Sequence, residues 1–174
     1  MNAERLVGLL SGGFHALFEW DSDLFTLGDR GVNEQSMTFR LGIYLNSLFE
    51  GYNVDCEYNK AGNRPKASAR AGKQSMKPDV IIHRRNSDEF NLFCLEAKKE
   101  YSWEAEYADL EGKLISLTHP EDYRYKLGLA WKIPESADPA AHTAFWFKNG
   151  EMKLKTSLTG FEAQVVELIQ RHNG

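Results

Sequence analysis

Long apolar runs are missing from this 174-residue chain, and no stretch approaches the roughly 20 residues that span a bilayer. Cysteine is scarce. Cys56 and Cys94 are the only two and form no CxxC pair, so buried, reduced thiols are expected rather than a disulfide or zinc site. The five histidines are scattered, without HxxxH or HNH-like spacing. An excess of positive charge is lacking too: 21 Lys and Arg against 25 Asp and Glu give a net −4, which does not advertise a nucleic-acid binder. Average charge is a weak guide, however, because binding depends on where the cations are placed. The N-terminus has no basic start, apolar core and cleavage site of a secretory signal, so a cytoplasmic address and no membrane partner are expected. No repeat or linker interrupts the sequence. With 42% hydrophobic and 26% charged residues it predicts a single globular domain over 1–174.

What is present is unevenly distributed. Between Asn59 and Pro78 stand Lys60, Arg64, Lys66, Arg70, Lys73 and Lys77 with no acidic residue among them. This stretch is rich in Gly, Ala and Ser and reads as a long basic loop. Leu6, Leu9, Leu10, Leu17 and Phe18 predict a helix over about 2–20, weakened by Gly12-Gly13. Asn33 is a good N-cap for a second helix carrying Met37, Leu41, Tyr44, Leu45 and Leu48, closed by Gly51. Strands are predicted over 52–58, 79–83 and 91–97, the last apolar on both faces and therefore central in a sheet. A helix over 104–117 shows the stripe Tyr107, Leu110, Leu114 and Leu117. Period-two alternation from Tyr123 to Trp131 predicts another strand. Asn149-Gly150 signals a hairpin and Val165, Leu168 and Ile169 a last helix. The order implies an α/β sandwich with a mixed sheet flanked by helices.

Chemistry concentrates on the two central strands. A turn near Ser87 folds them together, and Asp79 lies about as far before it as Glu96 lies after it. Glu96 and Lys98 are two apart and share a strand face. Two carboxylates and an amine should thus gather at one end of an apolar hairpin, where carboxylates are costly unless paired or bound to metal. Such hard oxygen ligands suit Mg²⁺ or Mn²⁺, with water and substrate phosphate completing the shell. That arrangement serves phosphodiester hydrolysis, with Lys98 steadying the developing charge.

Lys-Pro-Asp-Val-Ile-Ile at 77–82 followed by Leu-Phe-Cys-Leu-Glu-Ala-Lys-Lys at 92–99 resembles the PD-(D/E)xK, or restriction-endonuclease-like, nuclease superfamily. The Pro78-Asp79 dipeptide, the sixteen-residue gap and Glu-x-Lys after an apolar strand carry the resemblance. It implies an αβββαβ core over about 33–131, with an extra N-terminal helix and a C-terminal hairpin and helix outside it. It also implies that Asp79, Glu96 and Lys98 are catalytic and that Glu34 joins them, with Asp79, Glu96 and Glu34 as metal ligands. Asp109 and Lys113, and then Tyr123, Arg124, Tyr125 and Lys126, are candidates for the further polar groups some members carry.

Plainer readings stand beside these. Glu34 also suits the dipole of a helix first turn. Asp109 and Lys113, four apart, also fit a surface ion pair. His83 reads as a strand residue near the site. Lys60, Arg64, Lys66, Arg70, Lys73 and Lys77, with Arg124 and Lys126, are the candidate phosphate contacts. The expected function is Mg²⁺- or Mn²⁺-dependent endonuclease activity on DNA. The alternatives are an inactive DNA-binding or assembly subunit of the same fold, or an RNA-directed nuclease. A cut through both strands implies a homodimer or a partner subunit.

Overall fold

Asn2 caps α1 (Ala3–Trp20) by accepting the Arg5 backbone N–H at 3.0 Å, and the helix runs unbroken through Gly12-Gly13. The two glycines serve packing. A Cβ at Gly13 would stand 2.5 Å from Leu45 Cδ2, and one at Gly12 would stand 3.4 Å from Leu48. Both partners belong to α2 (Glu34–Leu48), which Asn33 caps by accepting the Ser36 N–H at 2.8 Å. The computed structural model describes residues 1–26, 33–58, 76–85, 87 and 89–171, with the backbone of 60–61 and 64–65.

Seven further elements build the rest of the sandwich. They are β1 (Asn53–Cys56), β4 (Val80–His83), β5 (Phe93–Lys99), α3 (Glu100–Thr118), β6 (Leu127–Ile133), β7 (Thr143–Lys148) and β8 (Glu151–Ser157). The helix α4 (Glu162–Gln170) follows, and the short strands β2 (Lys60–Ala61) and β3 (Arg64–Pro65) pair where only a loop was expected. The mixed sheet has the order β1-β4-β5-β6-β7-β8. Only β5 and β6 run parallel, and α3 makes their crossover, as parallel neighbours require. A fully buried β5 agrees with its apolar sequence.

Strand alternation sorts the core into two layers. Val80, Ile82, Phe93, Leu95, Leu129 and Trp131 pack with α1, α2 and α4. Ile81, Cys94, Ala130 and Phe147 pack with α3 through Trp103, Leu110, Leu114 and Leu117. The molecule is therefore an α/β sandwich with helices on both faces of a six-stranded sheet. No described helix is long and apolar enough to cross a membrane. Cys56 and Cys94 form no disulfide, Cys94 being buried and Cys56 partly so.

Three boundaries differ from expectation. The helix after β5 begins at Glu100, directly at the strand end. The strand predicted from Tyr123 begins only at Leu127, because Arg124 takes a left-handed backbone with φ 54° that breaks the alternation. Tyr125 consequently faces the α3 layer, while Leu127, Leu129 and Trp131 face the other. The Asn149-Gly150 turn is as predicted, with φ of 53° and 76° at its two residues.

Candidate active site

The antiparallel register of β4 with β5 sets Val80 against Leu95, so the next step places Asp79 beside Glu96. Asp79 is locked by its backbone, donating to Leu95 O at 3.1 Å and accepting from Glu57 N at 3.1 Å. Its Oδ2 accepts the Ala97 N–H at 2.7 Å. Burial raises the Asp79 pKa against the pull of that N–H, Lys98 and Lys113, and Glu34 adds to the rise. Asp79, Ile81, Cys94 and Glu96 fall on the α3 side of the sheet by strand parity.

Glu96 is 1% exposed. Its Oε2 accepts Lys113 Nζ of α3 at 3.2 Å. Its Oε1 is buried with no hydrogen-bond partner among the described residues. Burial, seconded by the Asp79 charge, pushes its pKa to about 8 against Lys113 and Lys98. A buried, half-satisfied carboxylate is an expensive arrangement, which functional sites tolerate and ordinary cores avoid.

Lys98 is half-buried between two acids, with Nζ 3.0 Å from Glu34 Oε2 and 3.4 Å from Glu106 Oε2. Burial works against its ammonium, but Glu34, Asp79 and Glu106 outweigh that and its pKa rises. Glu34 is the first residue of α2 and uses both oxygens, the second accepting the Lys99 N–H at 2.6 Å. Complementing the helix dipole is thus not its only role: it ties α2 to the end of β5. Four carboxylates and two amines meet here. Among the described residues no group of three or more His, Cys, Asp or Glu side chains is arranged to hold a metal ion.

The structure separates the other candidates. Lys77, exposed, pairs with Glu57, which also accepts Gln35 Nε2 at 2.7 Å and abuts Asp79 through its backbone. The side chains of Lys60, Arg64, Lys66, Arg70 and Lys73 lie outside the described residues. Arg124 and Lys126 do not join the carboxylates. Lys126 N donates to Asn91 O, whereas Glu96 is level with Ala130, about 13 Å further along β6 at the usual rise per residue. The Asp109–Lys113 pair is also corrected: Asp109 is exposed, and Lys113 turns to Glu96 instead. His83 is a buried strand residue bonded to Asp55 at 2.8 Å.

Glu106 escaped sequence reasoning, which flagged Lys113 as a candidate polar group but not its contact with the buried acid, yet a signal was there. The two are seven residues apart on α3, two helical turns, and flank the stripe of Trp103, Leu110, Leu114 and Leu117 that faces the sheet. Charged residues bordering a buried stripe mark polar business underneath. No protein-family model, curated protein or solved structure matches this chain.

Proposed function

We propose that this chain is a metal-dependent nuclease of the PD-(D/E)xK type that hydrolyses phosphodiester bonds in DNA. The observation that carries the reading is the meeting of Asp79, Glu96 and Lys98 at one end of the β4–β5 hairpin, with Glu96 Oε1 buried and unpaired. The sequence of elements α2, β1, β4, β5, α3 and β6 supports a restriction-endonuclease-like core. The basic stretch before Asp79 favours a polyanionic substrate, and DNA is the polymer the reading takes.

Asp79 and Glu96 suit a Mg²⁺ or Mn²⁺ ion. Mg²⁺ commonly takes one or two carboxylates and fills its remaining positions with water and phosphate, so a cage of three acids is not required. The orphaned Glu96 oxygen is the ligand atom such an ion would satisfy. When bound, the ion supplies Lewis acidity toward the phosphate and lowers the pKa of a bound water. Lys113 holds the Glu96 carboxylate in place, and Glu34 and Glu106 hold Lys98. An ammonium has three N–H donors. Two acids engage Lys98, and one donor remains to meet a phosphate oxygen and offset its developing charge.

The test is cleavage of circular and linear DNA, and of RNA, with Mg²⁺ or Mn²⁺, beside a chelator control and Lys98→Ala. Metal-dependent DNA cleavage that falls roughly 10²–10³-fold in Lys98→Ala is expected. Activity unchanged in the variant, or absent on every polymer, overturns the reading. Cleavage confined to RNA overturns the choice of substrate.

A further inference from the structure

A cavity opens at the other end of the sheet from Glu96, independent of the nuclease reading. Its volume is about 270 Å³, and it lies between the start of α1, the turn before β6 and the end of β7. Arg124, Lys126 and Lys148 line it, and no Asp or Glu does among the described residues. Leu6, Tyr125 and Ile169 give it an apolar side.

Lys148 is the unusual member. It is 5% exposed, yet among the described residues it has no carboxylate partner. Its Nζ donates to Leu168 O at 3.3 Å and Ile169 O at 2.6 Å, in the last turn of α4. Those carbonyls pin the amine and leave its third donor free. Charged side chains are almost never this buried without a counter-ion, because desolvation is so costly. An anion in the cavity would supply that counter-ion.

Arg124 and Lys126 are held in place by backbone rather than by acids. Arg124 N donates to His119 O at 3.2 Å, Lys126 N to Asn91 O at 3.0 Å, and Asn91 Nδ2 clamps Tyr123 O at 2.6 Å. The clamp keeps Arg124 in the left-handed region at φ 54°, a conformation that costs on the order of 1 kcal/mol in a non-glycine residue. Asn2 and Ala3, at the N-terminus of the 18-residue α1, also face the cavity, adding the favourable end of a helix dipole. Three cations with no carboxylate lining the cavity among the described residues, one of them buried, beside an apolar wall describe a particular ligand chemistry.

We propose that this cavity binds a small phosphate ester with an apolar body, up to the size of a mononucleotide. The phosphate meets Arg124, Lys126 and the free donor of Lys148, and the body lies against Tyr125 and Leu6. The volume of about 270 Å³ lies just under the usual range for small-molecule sites, which excludes larger dinucleotides from full burial.

Calorimetric titration of the full chain with adenosine 5′-monophosphate and with inorganic phosphate decides it, in a Lys98→Ala background that disarms the other end. Saturable binding of adenosine 5′-monophosphate is expected, tighter than phosphate and weakened at least about tenfold in Arg124→Ala/Lys126→Ala, since each change removes a charge-assisted contact. Both positions are exposed, so this variant should fold. Lys148→Met should abolish binding where it folds; the surface variant decides the matter if it does not. Unaltered affinity in the double variant, binding no tighter than phosphate, or no heat at millimolar ligand overturns the proposal.

Discussion

Asp55 and Glu96 are both acids on the strands of one sheet, and both are largely withdrawn from water, but the fold treats them oppositely. Asp55 has every oxygen answered: Oδ2 meets His83 Nε2 at 2.8 Å and Arg85 Nε at 3.0 Å, and Oδ1 meets Arg85 Nη2. Burial alone would raise its pKa, but Arg85 and His83 outweigh burial and lower it. Glu96 has one ammonium on one oxygen and nothing described on the other, and its pKa moves to about 8. A saturated cluster is structural, because adding a ligand would break bonds already made. An unsaturated one has room for chemistry.

The widest separation between the two should come from substitution to the amide. Glu96→Gln should lower DNA cleavage by 10²–10³-fold or more, read as kcat on a plasmid substrate, and Asp55→Asn should leave kcat within about twofold after correction for folded fraction. Similar losses in both would erase the distinction.

The next contrast is in pH. The folded pKa of Glu96 lies above its unfolded value, so the native state binds the extra proton between about pH 4.5 and 8. Stability therefore falls as pH rises through that window, and Asp79, shifted in the same direction, adds to the slope. The cost is on the order of 4 kcal/mol by pH 8 and should vanish in Glu96→Gln. Asp55 behaves inversely: its lowered pKa gives stability present above pH ~4 and lost only on acidification below it. Urea denaturation at pH 5, 6.5 and 8 measures both. A flat profile for the parent protein would contradict the burial of Glu96 as an unsatisfied acid.

At pH 7, Asp55→Asn should cost about 1–3 kcal/mol, since Arg85 and His83 lose their charged acceptor. Glu96→Gln should be neutral or stabilising, because folding then no longer requires a carboxyl to take up a proton before it is buried. Smallest of all is Asp109→Ala. Asp109 is exposed, so stability should stay within about 0.5 kcal/mol and cleavage should not change.

Local chemistry made much of this legible in advance. Asn33 before a 3.6-period stripe, Asn149-Gly150 between alternating residues, and an apolar run ending in Glu96-Ala97-Lys98 each specify their own backbone. They led to α2, the β7–β8 hairpin and β5. Long-range partners were hidden. Gly12-Gly13 looked like a weak point, because sequence cannot show that Leu45 and Leu48 lie across from them. Lys113 looked like a partner for Asp109, its neighbour one turn back. Only the crossover of α3 over β5 shows that Glu96 is nearer. The strand from Tyr123 failed at Arg124, where backbone clamps hold a left-handed turn with none of the usual glycine or asparagine.

Among the described residues, two side-chain hydrogen bonds join α1 to α4, one of them from Gln170 Nε2 to Glu4 Oε1. Ser11 Oγ donates to Glu162 at 2.5 Å across 151 residues, while Val165, Leu168 and Ile169 share the core layer of Leu6, Val7 and Leu10. As the ribosome delivers the polypeptide, the segment carrying Asp79, Glu96 and Lys113 emerges well before α4. Until it arrives, α1 has α2 and the sheet to pack on but lacks the share of its covering that Val165, Leu168 and Ile169 supply. Maturation should therefore be slow and chaperone-hungry, with Asp79, Glu96 and Lys113 fixed in place only when the layer beneath them is sealed.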